Sequence, residues 1–215
     1  MAERLVGVEV KGLRFVALGD IHGSVEAVEK ARKYIEEKKP DAVLVCGDIT
    51  HSGGSGEAGR LLEKLTGNKI PVLYVWGNMD RVSPDHQVEG VNAKCLHGKK
   101  TEFGDVEIVG LSGNAWGYDF LSDIEKSDKP LIVVSHEPPR NCLDETWSGS
   151  HAGDPQIRNF IERVQPDLMV CGHIHEARGE SKIGKTVVCN IGKLGSGNIV
   201  TIDINDEITI ERHRI

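Results

Sequence analysis

The stretch Asp41-Ala-Val-Leu-Val-Cys-Gly-Asp48 decides the fold of this chain. Its run from Ala42 to Cys46 is continuously apolar, which is typical of a strand buried on both faces. Gly47 permits a sharp turn, so the carboxylate of Asp48 is predicted to lie at the carboxyl end of a central strand. Open α/β sheets bind their ligands at that edge. A lone Gly-Asp pair is more often an ordinary turn than a binding site. The residues that follow the other strands are needed to choose between these two interpretations.

Four other predicted strands also end on side chains that bind metals. These ends are Asp20-Ile-His22, Asn78-Met79-Asp80, His136 and His173-Ile-His175. Five buried strands that deliver carboxylates, an amide and imidazoles to one edge are difficult to explain as turns alone. The mixture of oxygen and imidazole ligands favours Mn, Fe or Zn over Mg or Ca.

Each of these residues also has an ordinary interpretation. Asp20 is equally typical of a helix cap, and Asn78 of a turn. His22 or His136 alone would fit a loop or a buried structural histidine. The two histidines of the His-x-His segment 173–175 are more specific, because two imidazoles after a buried strand have little use in packing. Residues two apart point to one side of an extended backbone, so we expect extended segments at 20–22 and 173–175.

Composition sets the broad class of protein. The 215 residues fit one domain over 1–215 with a substantial core. The net charge of -7 argues against a nucleic-acid partner, but not against an anionic substrate. Five cysteines without a C-x-x-C motif predict free thiols in a reducing compartment. The N-terminus has no signal-peptide pattern and no segment reaches membrane length, so we expect a cytoplasmic protein without a membrane partner. The sequence leaves open whether the protein forms a homo-oligomer.

Hydrophobic periodicity predicts two βα-containing halves. The first half has an edge strand over 6–10, central strands over 14–18, 42–46 and 72–75, and helices over 24–38 and 57–65. Its Gly-rich segment 50–56 fits a linker or a mobile substrate loop. Hairpin turns are predicted at 98–99 and 104–105 and a short helix over 119–126. The second half has strands over 131–135, 168–171, 181–183, 187–190, 199–204 and 208–211, and a helix that begins at Pro155. Two sheets packed face to face with helices outside are expected.

The ordered motifs resemble those of the calcineurin-like binuclear metallophosphoesterases. That family has D-x-H, G-D, G-N-H-D/E, a lone His and G-H-x-H. This chain has the corresponding motifs in the same order from about residue 14 to Asn190, with Met79 in place of the histidine of the third motif. The resemblance implies an α/β fold, a four-layer αββα sandwich of two mixed β-sheets flanked by helices. It also implies two divalent metal ions, with Mn favoured over Fe, Zn, Ni or Co, and a metal-bridging hydroxide as nucleophile.

The resemblance also implies a role for each motif residue. One metal ion would be bound by Asp20, His22 and His175, and the other by Asn78, His136 and His173. Asp48 would bridge the two ions. Catalytic roles are implied for Asp48, Asn78, Asp80 and His136.

Met79 is the main departure from the family pattern. A histidine at this position helps to protonate the leaving oxygen, and a thioether cannot do so. Family members without that histidine resemble diesterases more often than monoesterases. We therefore expect a phosphodiesterase acting on a small or nucleotide-like substrate. The alternatives are a phosphomonoesterase or protein phosphatase, and a metal-containing binding module without catalysis. Candidate substrate contacts, each equally typical of a surface loop, are His51, Asn114, Arg140 and His151.

Overall fold

A computed structural model describes residues 12–113, 115 and 117–215 of the protein. The predicted edge strand over 6–10 and Asn114 lie outside the described residues. In chain order the elements are β1 (Leu13–Leu18), α1 (Val25–Lys38), β2 (Ala42–Cys46), α2 (Ser55–Thr66), β3 (Val72–Val75), β4 (Ala93–Cys95), β5 (Lys100–Phe103), β6 (Val106–Leu111), β7 (Leu131–Ser135), α3 (Pro155–Val164), β8 (Leu168–Cys171), β9 (Gly179–Ile183), β10 (Thr186–Asn190), β11 (Asn198–Ile204) and β12 (Ile208–Arg214).

Within the described residues the strands form two mixed sheets of six strands each. The first sheet has the order β12-β11-β1-β2-β3-β4, and the second has the order β5-β6-β7-β8-β10-β9. Strands β1 to β4 are parallel to one another, and so are β6, β7, β8 and β10. Antiparallel strands complete both sheets. The parallel strands of each sheet therefore present all their carboxyl ends at one edge.

Three hydrophobic cores separate four layers. Alternate residues of β2 show the division, because Val43 and Val45 pack against the helices α1 and α2 while Leu44 and Cys46 pack between the sheets. The third core joins the second sheet to α3 through residues such as Phe160. Both sheets contribute to the middle core, which fixes one sheet edge against the other. The expected αββα sandwich is confirmed.

Local sequence explains where the helices begin. The Ser24 hydroxyl accepts a hydrogen bond from the backbone N–H of Ala27 and caps α1. Asp154 caps α3 in the same way, with Pro155 at the first helical position. Helix α2 begins at Ser55, two residues earlier than predicted, so it takes in the end of the Gly-rich segment. Among the described residues, the helices are too short or too polar to span a bilayer.

The segment between β3 and β7 differs from its prediction. The turn at 104–105 joins the antiparallel strands β5 and β6 as expected. The turn at 98–99 does not form a hairpin, because β4 pairs in parallel with β3 in the first sheet while β5 belongs to the second. Alternation predicts a strand but does not identify its partner. The predicted helix over 119–126 is a shorter 3-10 helix, Asp119–Asp123.

Candidate metal centre

A first group of metal-binding side chains lies where β1 and β8 end. The Nε2 atoms of His22 and His175 are 3.4 Å apart, and Nε2 of His175 lies 3.3 Å from Oδ1 of Asp20. Nε2 of His22 lies 4.0 Å from the same oxygen. All three residues offer a ligand atom within 4.8 Å of one another, so together they could hold one metal ion.

A second group lies beside the first, at the ends of β2 and β7. It contains Asp20, Asp48 and His136, whose ligand atoms also lie within 4.8 Å of one another. Oδ1 of Asp48 is 3.6 Å from Nε2 of His136, and its Oδ2 is 3.7 Å from Nε2 of His22. Asp20 belongs to both groups, and Asp48 of the second group also approaches His22 of the first. Asp48 therefore has a position that a bridging carboxylate would need.

The two remaining predicted ligands also lie against His136. Oδ1 of Asn78 is 2.8 Å from Nε2 of His136. The ring of His173 has its centroid 4.8 Å from that of His136. The structure therefore brings all seven predicted ligand residues to one edge shared by both sheets.

The hydrogen bonding of His136 fits a cation in this place. Its Nδ1 donates to the backbone carbonyl of Cys46 at 2.9 Å, and a carbonyl oxygen can only accept. In its neutral form the ring would present a lone pair at Nε2, which lies 2.8 Å from the amide oxygen of Asn78. Two facing lone pairs are stabilised by a cation that both can contact. The donor set of imidazole, amide and carboxylate suits Mn, Fe or Zn.

The turns that carry these residues are not extended, and that prediction is wrong. Asp20, His22, Asp48 and His173 all have left-handed backbone conformations, with φ of 52°, 49°, 47° and 67°. Such conformations cost on the order of 1–3 kcal/mol each and persist where surrounding structure fixes them. Hydrogen bonds between neighbouring turns do this, from the N–H of Asp20 to the carbonyl of Gly47 and from the N–H of His22 to that of Asp48.

Two glycines of the motifs are required by the carboxylates. A Cβ at Gly77 would lie 2.0 Å from Oδ1 of Asp48, and one at Gly172 would lie 2.4 Å from Oδ2 of Asp20. Both distances are far shorter than a van der Waals contact. Glycine therefore lets the backbone approach each buried carboxylate closely.

The two aspartates of the centre differ in their electrostatics. Burial raises the pKa of Asp20, but the hydrogen bond with His175, nearby imidazoles and the N–H of His173 outweigh it, and the net pKa is lowered. Burial raises the pKa of Asp48, and its attraction to His136 and the hydrogen bond from the N–H of Met79 do not offset this. An ionised Asp48 is thus costly in the metal-free protein, and a cation would relieve that cost.

The pKa values of the histidines shift in opposite directions. Burial lowers the pKa of His173 to about 4, so the ring is neutral near pH 7 and offers a lone pair. Burial also lowers the pKa of His22. The hydrogen bond to Asp20 raises the pKa of His175. Two of these rings are therefore held in the form that a metal ion binds.

Asp80 differs from the ligand residues, although it too is buried. Its Oδ1 accepts from the N–H and hydroxyl of Thr50, both at 2.8 Å, and its Oδ2 accepts from the N–H groups of Ile49 and Gly77 at 3.2 and 2.9 Å. The catalytic role implied for Asp80 depended on supporting a proton donor at position 79. These hydrogen bonds join the turns after β2 and β3. The catalytic role of Asp80 stays a prediction.

The candidate substrate contacts lie in different places. His51 is exposed, and its ring centroid is 5.6 Å from that of His22, so it lies beside the centre. His151 contacts Asp144 and lines a separate cavity. The main chain of Arg140 bonds to residues around the start of α3. Asn114 lies outside the described residues.

Lys193 is a residue of the centre that sequence reasoning missed. Its positive charge contributes to lowering the pKa of His22 and opposes the rise in the pKa of His175. The segment that carries it follows β10 and is held by a hydrogen bond from the N–H of Leu194 to the carbonyl of Gly19. The signal was present in the sequence, because the apolar strand that ends at Asn190 is followed by a glycine and a lysine.

Comparison with known proteins agrees with this geometry. A four-layer sandwich with carboxylates and imidazoles clustered where its two sheets meet is the architecture of metallophosphoesterases. The family model for calcineurin-like phosphoesterases matches residues 13–177. The chain belongs to that family, with two groups of side chains that could hold metal ions.

Individual relatives support the same assignment. Uncharacterized protein MJ1162 of Methanocaldococcus jannaschii is 30% identical over 200 residues, which cover 84% of this chain and 88% of the relative. A probable cyclic nucleotide phosphodiesterase of Ruthia magnifica is 25% identical, with 89% and 91% covered. The crystal structure of TT1561 of Thermus thermophilus superimposes with a TM-score of 0.72 at 19% identity, with 95% of this chain and 99% of that chain covered. The fold and family are therefore established.

Proposed function

We propose that the protein is a phosphodiesterase that hydrolyses a small or nucleotide-like phosphodiester and depends on two divalent metal ions, with Mn favoured. The observation that carries the proposal is the position of Asp48. It lies 3.7 Å from His22 in one group of ligands and 3.6 Å from His136 in the other. A single carboxylate between two such groups suits a pair of adjacent ions.

The residues of the centre have separable tasks in this proposal. Bound divalent ions supply Lewis acidity toward a phosphoryl oxygen and acidify water. The histidines and Asp20 would hold the ions, and the left-handed turns at Asp20, His22 and His173 fix their donor atoms in advance. The positive charge of Lys193, which acts on the pKa of both His22 and His175, favours an anionic phosphoryl group at this edge. Exposed His51 is the best placed of the predicted substrate contacts.

Two observations favour a diester over a monoester. Met79 offers a thioether where a proton donor for the leaving group would stand, so this position cannot assist a poor leaving group. The relative from Ruthia magnifica that is named a probable cyclic nucleotide phosphodiesterase is similar along 91% of its length. Phosphomonoesterase or protein phosphatase activity and a metal-containing binding module are the alternatives that an assay has to separate.

The experiment compares two activated esters that share one leaving group. Protein loaded with Mn is assayed on bis(4-nitrophenyl) phosphate and on 4-nitrophenyl phosphate, with and without a chelator. We expect chelator-sensitive hydrolysis with a higher kcat/KM for the diester, and loss of activity in His173→Ala. A preference for the monoester would favour the phosphomonoesterase, and metal binding without turnover of either ester would favour the binding module.

We also propose that the protein works in the cytoplasm. All five cysteines are free and buried, including Cys46 and Cys171 in the interior of the sheets. Burial raises the pKa of both thiols well above the ordinary value, which keeps them unreactive. Free thiols are typical of a reducing compartment.

A further inference from the structure

A cavity of about 840 Å³ opens next to the candidate metal centre. One wall is the loop from Asn141 to His151, and the other is the segment from Glu176 to Ser181. Its volume falls in the range of sites for small organic ligands. Glu176 directly follows His175, so the cavity begins one residue from a candidate metal ligand.

Hydrogen bonds from Trp147 and Asn190 fix this cavity relative to the centre. The backbone N–H of Trp147 donates to Oε1 of Glu176 at 2.9 Å. The side-chain amide of Asn190, which is fully buried, donates to the carbonyls of Leu143 and Ile174 at 3.2 and 3.0 Å. Ile174 lies between the two histidines of the G-H-x-H motif. A group bound in the cavity would therefore have a defined position relative to a phosphoryl group at the metal centre.

The loop holds one aromatic side chain in solvent. Trp147 is 90% exposed, and among the other large apolar side chains of the described residues only Val25, at 48%, is also classed as exposed. Its backbone is nevertheless ordered by neighbours, since the Thr146 hydroxyl bonds to those of Ser148 and Ser150. An exposed indole on a fixed backbone loses little conformational entropy when a flat ring stacks on it.

The charges around the cavity exclude a second phosphate as its occupant. Three carboxylates line it, from Asp144, Glu145 and Glu176, against the two basic side chains of Arg178 and His151. His151 is already paired with Asp144 at 2.7 Å. An anion would be repelled, whereas a neutral group with hydroxyl or amino donors would find acceptors.

We infer that this cavity binds the organic part of the substrate, and that this part is a nucleoside whose base stacks on Trp147. The inference rests on the proposed function, because the phosphoryl group that the nucleoside carries is assigned to the metal centre. It goes beyond that function by naming the group that the enzyme selects. Trp147 is then a specificity residue that contacts substrate and takes no part in the chemical step.

Two ligands that differ only in the base provide the test. Adenosine 5′-monophosphate and ribose 5-phosphate are titrated calorimetrically into the metal-loaded protein, a measurement that needs no turnover. Stacking on an aromatic side chain predicts that the nucleotide binds roughly 5- to 150-fold more tightly. Trp147→Ala should remove that difference, Trp147→Phe should retain most of it, and the control Val25→Ala should leave it unchanged.

Several results would overturn the inference. Equal affinities for the two ligands in the wild type would do so, and so would a base preference that survives in Trp147→Ala. If Trp147→Ala changes the oligomeric state by size-exclusion chromatography but not the base preference, the indole belongs to an interface between copies of the chain. The proposed function fails on different evidence, namely absence of metal-dependent ester hydrolysis, which does not alter the ratio of these affinities.

Discussion

The turns that follow β2 and β3 place two buried aspartates side by side and use them differently. Asp48 and Asp80 are each 3% exposed. The carboxylate of Asp80 accepts four hydrogen bonds, whereas that of Asp48 accepts one from Met79 and otherwise faces imidazoles, as far as the described residues show. A carboxylate that accepts many hydrogen bonds from the main chain holds the backbone turns in place. One that accepts few keeps its lone pairs for a ligand. Burial alone does not distinguish the two.

The largest effect is expected at Asp48. Asp48→Ala removes the carboxylate that lies between the two ligand groups, so both ions should bind more weakly. We expect kcat/KM for an activated diester to fall by at least about 10³-fold, because charge stabilisation and nucleophile formation depend on the same ions. Steady-state assays at saturating Mn test this. Activity within tenfold of the wild type would show that Asp48 is not shared.

Substitution of Asp80 is expected to lower stability more than substitution of Asp48 does. Asp80→Ala leaves the buried N–H groups of Ile49, Thr50 and Gly77 without their acceptor, which should lower the free energy of unfolding by roughly 3–5 kcal/mol. Asp48→Ala is the matched control and should cost less than about 1.5 kcal/mol in metal-free protein, since it loses one hydrogen bond. Denaturant unfolding in the presence of a chelator measures both. Equal losses for the two variants would remove the distinction.

Much of this centre could be predicted from sequence, because strand ends are visible as apolar runs that stop at glycine. The five ends with Asp20, Asp48, Asn78, His136 and His173 do meet at one edge. The sequence did not reveal how the chain turns there. Left-handed conformations at aspartate and histidine depend on hydrogen bonds between neighbouring turns, and those are tertiary contacts.

The sequence also does not predict which distant residues each side chain or strand will contact. Asp80 matches the family motif, yet donors from the turns after both β2 and β3 contact it, and only the structure shows that each of its oxygens accepts two of these hydrogen bonds. Strand β4 alternates like a hairpin strand but pairs in parallel with β3. The strand end before Lys193 is visible in the sequence, but the hydrogen bond from Leu194 to Gly19 that places this segment is not. In each case the competing partner is distant in sequence.

A third buried carboxylate, that of Asp144, extends the comparison to a site outside the metal centre. Burial raises its pKa, but hydrogen bonds from His151, Gly153 and Asn141 outweigh it, and the net pKa is lowered. The unfolded chain then binds more protons, so the stabilisation is complete above the ordinary pKa of aspartate and is lost as pH falls through the folded value. Asp144→Asn should lower stability at pH 7 by about 1–3 kcal/mol and flatten its dependence on acid pH.

Thermal unfolding at a series of pH values tests the Asp144 prediction. The exposed residue Glu125 provides the control, and Glu125→Gln should leave the curve unchanged. A stability curve for Asp144→Asn that parallels that of the wild type below about pH 5 would contradict the prediction.

The smallest change in activity is expected for substitution of Met79, because the carboxylate of Asp80 already accepts hydrogen bonds on both oxygens. General acid catalysis typically supplies about 10²–10⁴-fold. Met79→His introduces an imidazole that Asp80 cannot orient, because both carboxylate oxygens are already occupied. We therefore expect the variant to gain less than about tenfold on alkyl diesters.

A series of aryl and alkyl phosphodiesters measures that gain as kcat/KM against leaving-group pKa. The wild type should show a steep dependence, and Met79→Leu should keep it. A gain of about 100-fold or more in Met79→His would show that Asp80 can be recruited despite its hydrogen bonds. A flat dependence in the wild type, where chemistry limits the rate, would mean that another residue such as His51 donates the proton.

The central claim is that one shared carboxylate completes two metal sites, and metal content tests it most directly. Wild-type protein, Asp48→Ala and His22→Ala are saturated with Mn or Zn, dialysed mildly and measured by elemental analysis. Two ions per chain are predicted for the wild type, about one for His22→Ala, and weakened retention of both for Asp48→Ala. A wild-type protein that holds one ion or none under saturating metal would contradict the account.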